Sequence, residues 1–449
     1  MQKEKFLIVG GGGRESAFAK NLAKDTELYA VVGHNNPTII ENVLKSGGKY
    51  LVSDPNNPEE VAHYAKKHHI DYAFVSADEP LASGVIDALL ELNIKAVGGT
   101  KEATKIEWDK IYSIELVNKV CPEFTPVYKV ISSTEDIAEA IAEFKDNSMQ
   151  VVVKPQGLTG GKGVKVMPEH LKSYEESASY AEELLKKNPG EKVLLVEKLK
   201  GVEFTIMGLT DGKKLVSSPA SYDYPFRLEN DLGAGTGGMG CFTNNEKKLP
   251  FMTDKDLADC EYVMQSVINE MRERGLFFNG VLNGGFFTTK NGIKFMEFNG
   301  RFGDPEGLNI LSILKSPLSQ LIKDLWHKTL AEKSVDFIKK ASVIKYLVAH
   351  EYPGASKEVI DFSVDKEGIE KSGLNVFFAS AVKKDNQNYS TLKTSRVVAI
   401  GATEDTIEEA SKKINHSIDN YITGNLDYRK DIGSKKNIDK LKSIADSLQ

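Results

Sequence analysis

The sequence predicts a chain of mixed class: α/β at its N-terminal end, α+β through its middle, and a small α/β unit at its C-terminal end. Three observations carry this. Short apolar runs alternate with helical stretches over residues 1–100, the mark of parallel βαβ units with right-handed crossovers. Beyond Val127 the strands are joined by a glycine hairpin as well as by helices. A length of 449 residues leaves room for about three domains.

Taken in order, the strands Phe6–Val9, Ala30–Val32, Tyr72–Val75 and Lys95–Val97 alternate with helices over Arg14–Lys24, Glu59–Lys67 and Ser83–Leu92. A polar loop is expected after Val32. The helical block Lys101–Lys119 leads to Pro122 and Pro126, a linker. Strands follow at Val127–Ile131, Gln150–Lys154, Gly163–Met167 and Lys192–Glu197, with helices Ser133–Phe144 and Glu169–Lys187. A strand-rich block from Gly201 to Asn299 is interrupted by the helix Asp254–Arg274, and Pro305–Leu330 is helical. The tail carries strands at Ala341–Ala349, Asn375–Ala381 and Arg396–Ile400, an amphipathic helix at Asp405–Tyr421, and little evident chemistry.

Composition excludes several classes. With 41% hydrophobic and 27% charged residues the chain is neither disordered nor fibrous. Its 58 basic and 64 acidic residues give a net charge of -6, without the positive field that non-specific nucleic-acid binding needs. A local basic pocket for a phosphorylated small molecule stays open. Cys121, Cys241 and Cys260 are too scattered for a disulfide framework and read as reduced, buried thiols. No apolar run approaches the ~18 residues of a membrane span, and Phe6–Val9 reads as a first strand, not a signal core. A cytoplasmic protein with no membrane or nucleic-acid partner is expected.

Gly10–Gly13 and Arg14 follow a strand and open a helix, a place where backbone N–H groups meet anions. A dinucleotide fingerprint fails there, because the third glycine is missing and no ribose-binding acid follows Val32. A phosphate or carboxylate site and a plain tight turn both remain. Lys154 ends a strand, and Gly157 to Gly163 form a glycine- and lysine-rich hairpin able to fold over a triphosphate. It is not a Walker A loop, since Gln156 and Gly163 occupy the diagnostic positions. Glu197 and Glu203 flank a short connection whose backbone suits an adenine edge and whose carboxylate suits ribose hydroxyls.

Glu297 and Asn299 lie two apart on a strand and present two hard oxygens on one face, with Met296 and Phe298 packing the other. Arg301, just beyond, suits a bidentate grip on phosphate or an acyl phosphate. The glycine-rich stretch from Asp223 to Gly240 reads as a substrate loop. The eight histidines show no metal spacing, and no GxSxG elbow occurs, which leaves positioning and electrostatics around ATP and magnesium.

The order of motifs resembles the phosphoribosylamine–glycine ligase (glycinamide ribonucleotide synthetase) family of ATP-grasp enzymes over nearly the whole chain. It is carried by Val9–Glu15, Asp78-Glu79-Pro80-Leu81, Val153-Lys154 through Val164, Gly237–Gly240, Glu297–Glu306, Tyr352-Pro-Gly354 and Arg429–Gly433. The resemblance implies a Rossmann-like pre-ATP-grasp domain over 1–103, an ATP-grasp domain over 104–333 with a lid at about 124–196, and a C-terminal domain over 334–449. It implies formation of glycyl phosphate from glycine and ATP, then attack by 5-phosphoribosylamine.

By motif, ATP would meet Lys110, Lys154, Gly160, Gly161, Lys162, Gly163, Glu197, Leu199 and Glu203, and Mg2+ or Mn2+ would meet Glu297 and Asn299. Arg301, Lys154 and Asp223 would be catalytic. Gly12, Gly13, Arg14, Glu79, Gly237, Gly238, Met239 and Asp304 would face the substrates. A monomer or weak homodimer is expected. Other readings are an ATP-grasp ligase of a different acid and amine, and a non-catalytic nucleotide sensor.

Overall fold

Five parallel strands form the N-terminal sheet of the computed structural model, which describes residues 3–157, 163–393 and 395–448. Their order is Tyr50–Val52, Glu27–Val32, Lys5–Val9, Tyr72–Phe74, Lys95–Gly99. Alternation along the strands sends Phe6 and Ile8 into one core and Leu7 and Val9 into another.

The stretch after Val32 is not a loop. It holds the helix Pro37–Ser46 and the strand Tyr50–Val52. Asn36 caps that helix by accepting from the Ile39 N–H at 3.1 Å, Pro37 sits in its first turn, and Gly47 ends it at φ 92°.

Several expected helices divide or shift. The helix expected at Ser83–Leu92 runs Val85–Glu91, and a separate helix, Asp78–Ser83, precedes it across Gly84 with φ 95°. The Lys101–Lys119 block becomes Lys105–Trp108 and Lys110–Val120. Asp109 leaves helical geometry between them and accepts from the N–H groups of Ile111 and Tyr112 at 3.2 and 3.1 Å. The Pro305–Leu330 stretch becomes Glu306–Ile313 and Leu318–His327, because the residue before Pro317 is held out of the helical region. The helix expected from Glu169 starts at Tyr174, where Ser173 caps it.

Strands Tyr128–Ile131, Val193–Glu197, Val151–Pro155 and Lys165–Val166 make a separate antiparallel sheet in that order. It has a core of its own, with Ile131, Phe144, Val153, Leu184 and Leu195 packed beneath two helices. A fourteen-stranded sheet, which includes the five parallel strands, runs through the rest, beside a four-stranded antiparallel sheet of Ala381–Lys383, Asn388–Thr391, Asp361–Val364 and Ile422–Gly424. The stretch from Asp223 to Gly240, expected as a loop, holds a small hairpin of Phe226–Leu228 and Leu232–Gly235. Within the large sheet, strand Phe278–Thr289 pairs with Lys95–Gly99 of the N-terminal part and with Val202–Thr210. Gly240–Thr243 pairs with Ala341–Leu347 of the C-terminal part. The last expected tail strand runs Val398–Glu404, which leaves Arg396 just outside it. The three cysteines are free and buried, as expected. Among the described residues no helix is long and apolar enough to cross a membrane.

Candidate active site

A cavity of about 470 Å3 lies between the separate antiparallel sheet and the large one, a size typical of ligand sites. Its floor is the hairpin of Phe278–Thr289 and Gly292–Asn299 beside Val202–Thr210. Glu297 and Asn299 share a face and both line it. Met296 does not pack on the far face as the alternation implies. Gly285 pairs with Glu297 and Phe286 with Phe295, so Met296 is the extra residue of a bulge and joins the cavity wall.

Lys154 and Lys110 enter from the other side. The Lys110 ammonium donates to the Gly157 carbonyl at 2.7 Å, tying the helix start to the first residue of the glycine hairpin. Burial lowers its pKa. Glu203 opens into the cavity, where burial and then the Glu297 carboxylate push its pKa up to about 7.

Arg301 sits among carboxylates. Its Nε is 3.1 Å from Glu107 and 3.4 Å from Asp78, and its Nη2 donates to the Asn299 amide oxygen at 3.3 Å. Arg14 reaches the same Asp78 at 3.3 Å and donates to the Phe302 carbonyl at 2.9 Å. The Arg301 guanidinium, with Arg14, holds Asp78 well below the usual carboxylate range. Burial raises Glu107.

Asp223 and Glu306 complete this wall, and burial pushes both carboxyls upward; for Asp223 the neighbouring Glu306 adds to it. The turn beside them is held by internal bonds and by Tyr352, whose hydroxyl oxygen accepts from the Gly237 N–H at 3.2 Å. Thr236 Oγ1 accepts from the Gly238 N–H at 3.0 Å and donates to the Pro225 carbonyl at 2.8 Å. Gly238 has φ 100°, and a Cβ there would come within 2.7 Å of Asp223 and 2.6 Å of Pro305.

Phosphoribosylamine–glycine ligase of Thermococcus kodakarensis is 37% identical to this chain over 434 residues, 97% of each protein. The chain belongs to the phosphoribosylamine–glycine ligase family. Family models for phosphoribosylglycinamide synthetase match its N domain at residues 4–107, its ATP-grasp domain at 109–307 and its C domain at 342–435. The crystal structure of the Thermotoga maritima phosphoribosylamine–glycine ligase superposes with a TM-score of 0.77 at 24% identity, covering 95% of this chain and 100% of that one. The biotin carboxylase domain of Hydrogenobacter thermophilus 2-oxoglutarate carboxylase, solved with MgADP, ADP and bicarbonate, shares the fold. Its TM-score is 0.68 at 14% identity, over 99% of this chain and 94% of that one. The protein therefore has the ATP-grasp architecture, with the family's N- and C-terminal domains around it.

The residues quoted for this family fall unevenly around the cavity. Lys110, Lys154, Glu203, Asp223, Gly237, Glu297, Asn299, Arg301, Asp304 and Arg14 line it. Gly238 lies against Asp223, and Met239 is buried in the core. Glu197 and Leu199 are not on the wall; Leu194 and Val196 are. The Glu197 carboxylate instead accepts from the Val127 N–H at 2.8 Å, fixing the strand edge. Glu79 is off the wall and takes a bond from Asn56, while its neighbour Asp78 faces inward. Gly160, Gly161 and Lys162 lie outside the described residues. The Gly163 carbonyl accepts from the Tyr180 hydroxyl at 2.9 Å.

Gly12 and Gly13 are small for a reason internal to the protein. The Gly12 N–H donates to Glu15 at 2.8 Å and the Arg14 N–H to Asp304 at 3.2 Å, so carboxylates of the chain already occupy this helix start. A Cβ on Gly13 would overlap the Tyr346 hydroxyl. Gly13→Ala is expected to destabilise the protein by about 1–3 kcal/mol through overpacking. Tyr346→Phe in the same chain removes the overlapping atom and recovers part of the loss. Urea unfolding of both single variants and the double variant checks this coupling, and strictly additive effects would refute it.

Asp78, Glu107, Glu306, Tyr346 and Arg396 are the residues without an expected role. Asp78 and Glu306 stand inside recognised motifs, beside the residues that were assigned. Arg396 corrects the expectation that the tail carries little chemistry, since it lines the cavity.

Proposed function

We propose that the protein ligates glycine to 5-phosphoribosylamine, giving glycinamide ribonucleotide in purine biosynthesis, with ATP converted to ADP and phosphate. The observation that supports this most is one cavity holding two lysines, a carboxylate–amide oxygen pair and a largely buried arginine. The glycine carboxylate takes the terminal phosphoryl group. The amine then attacks the resulting acyl carbon, phosphate leaves, and the nitrogen sheds a proton. Positioning and electrostatics suffice for such chemistry, without a protein nucleophile.

In this reading Lys154 and Lys110 neutralise phosphate oxygens. Leu194, Val196 and Phe298 give apolar walls for the base, beside the main chain of Glu197 and Leu199, and Glu203 takes the ribose hydroxyls. Glu297 and Asn299 fit a divalent cation: they offer two hard oxygens. Among the described residues no cluster of three His, Cys, Asp or Glu side chains exists to cage a metal unaided. Magnesium or manganese takes few protein oxygens and completes its shell with phosphate and water. When bound, it would offset the negative charge of the transferring group.

Arg301 would steady the acyl phosphate, and Asp223 would accept the amine proton. Gly237, Gly238, Met239 and Asp304, with Gly12, Gly13, Arg14 and Glu79, would shape the space for glycine and the amine. The same reading places the enzyme in the cytoplasm as a monomer or weak homodimer.

ADP release, followed with each substrate omitted in turn, tests the proposal. Turnover is expected only with ATP, glycine and phosphoribosylamine together. Faster turnover with another acid or amine would replace the substrate assignment.

A further inference from the structure

One guanidinium from the C-terminal part of the chain reaches into this cavity. Arg396 precedes the strand Val398–Glu404, and its carbonyl is pinned by the Ser380 N–H at 2.9 Å. Its Nη1 donates to three carbonyls at once: Gly237 at 2.5 Å, Gly238 at 3.0 Å and Asp304 at 2.7 Å. Its Nη2 stands 3.3 Å from the Asp304 carboxylate, and the guanidinium lies 4.5 Å from the Tyr346 ring centre. The Tyr346 hydroxyl donates to the same carboxylate oxygen, Asp304 Oδ1, at 2.7 Å.

We propose that Arg396 is a positioning residue, which fixes the Gly237-Gly238 turn and Asp304 as one rigid wall for the two substrates other than ATP. The proposal rests on the function proposed above. Two features of the geometry favour positioning over mere packing. Arg396 is mostly buried, with 13% of its side chain exposed, and that remnant faces the cavity. Its partners are the turn and Asp304, whereas the lysines of the nucleotide end bond to a different segment, as in Lys110 to Gly157. Removing the guanidinium therefore frees three carbonyls of the acceptor wall and takes one partner from the Asp304 carboxylate, which keeps the Tyr346 hydroxyl and the Arg14 N–H. A lysine cannot replace it, since one compact ammonium lacks the planar fork that serves the carbonyls and the carboxylate together.

The test is the substrate-by-substrate kinetics of Arg396→Met and Arg396→Lys in the full-length enzyme, with binding of a non-hydrolysable ATP analogue measured alongside. KM for glycine or phosphoribosylamine is expected to rise about tenfold or more in both variants, with analogue affinity within about twofold of the starting protein. Millimolar guanidinium is expected to restore part of the loss in Arg396→Met. Should Arg396→Met fail to fold, Arg396→Lys, which keeps the charge over Tyr346, carries the same comparison. An equal loss of affinity for all three substrates, or kinetics unchanged in both variants, overturns the proposal. If the unaltered enzyme fails to couple glycine and phosphoribosylamine, the functional reading falls first, and this one with it.

Discussion

Glu297→Gln is expected to lower kcat/KM for ATP by about two to three orders of magnitude, equivalent to ~3–4 kcal/mol of transition-state stabilisation. Gln keeps the shape of the side chain and removes its charge. The strand around it is held by cross-strand pairing with Gly285 and by buried Phe295 and Phe298, so the fold survives. What is lost is the only carboxylate of the Glu297–Asn299 pair, and Asn299 already shares its oxygen with Arg301. A second effect accompanies the first. The Glu297 charge is one cause of the raised pKa of Glu203, after burial, so that pKa moves down in the variant. A coupled ADP-release assay at varied magnesium, with thermal melting as the fold control, measures both the rate loss and its dependence on the cation. Full activity in Glu297→Gln would remove the metal assignment.

The second large effect concerns stability. Lys345 is fully buried on Ala341–Leu347, where its ammonium donates to Ser411 Oγ at 2.9 Å, Asn415 Oδ1 at 2.7 Å and the Lys430 carbonyl at 2.9 Å. Among the described residues no carboxylate is bonded to it, and burial brings its pKa down to about 7, with Asp431 and Glu229 opposing the shift and Arg429 and Lys430 adding to it. The unfolded chain holds this proton up to about pH 10.4, so between pH 7 and 10 the unfolded state binds more protons than the native state. Stability from this group therefore rises with pH across that window, by roughly 1.4 kcal/mol per unit. Below pH 7 both states are charged and the cost of burying the ammonium is present in full.

Lys345→Met should abolish the slope. Ser411 keeps its bond to the Ile432 carbonyl and Lys430 keeps the one from Asn415. The half-buried Asn415 Oδ1 loses the Lys345 donor, a cost present at every pH that does not alter the slope. The variant is expected to be more stable than the parent at pH 6.5, with the gap narrowing by about 3 kcal/mol at pH 9. Urea unfolding at a series of pH values reads this directly, and a gap that stays constant with pH would refute it.

Geometry carried by short spacings was legible in the sequence. The two-residue interval of Glu297 and Asn299 is the period of a strand, so their common face followed from the alternation alone. The bulge at Met296 left no such trace, because it arises from pairing with Gly285 and Phe286. Helix breaks were readable: Asn36-Pro37 and Gly47 are cap signals, and Ile39, Ile40, Val43 and Leu44 between them have helical spacing, so the helix Pro37–Ser46 was within reach of the sequence although a loop was expected there. Asp109 reads as one more helical residue until its carboxylate is seen to cap the following turn. Glu197 stands at the expected place, but the Val127 N–H claims its side chain, a competition no local pattern announces. Arg396 and Tyr346 were beyond reach, since they meet Asp304 only through pairing of the C-terminal strands with the central ones.

That continuous fourteen-stranded sheet limits how relatives of this chain could trade parts. Any transplanted N-terminal segment must match the seam where Gly99 meets Phe278, and any C-terminal one the seam where Lys345 meets Gly240. A shift of a single residue at either joint would turn inward-facing side chains outward. The four-stranded unit of Tyr128–Ile131, Val193–Glu197, Val151–Pro155 and Lys165–Val166 lies outside that sheet and has a private core, so replacing it would disturb neither seam.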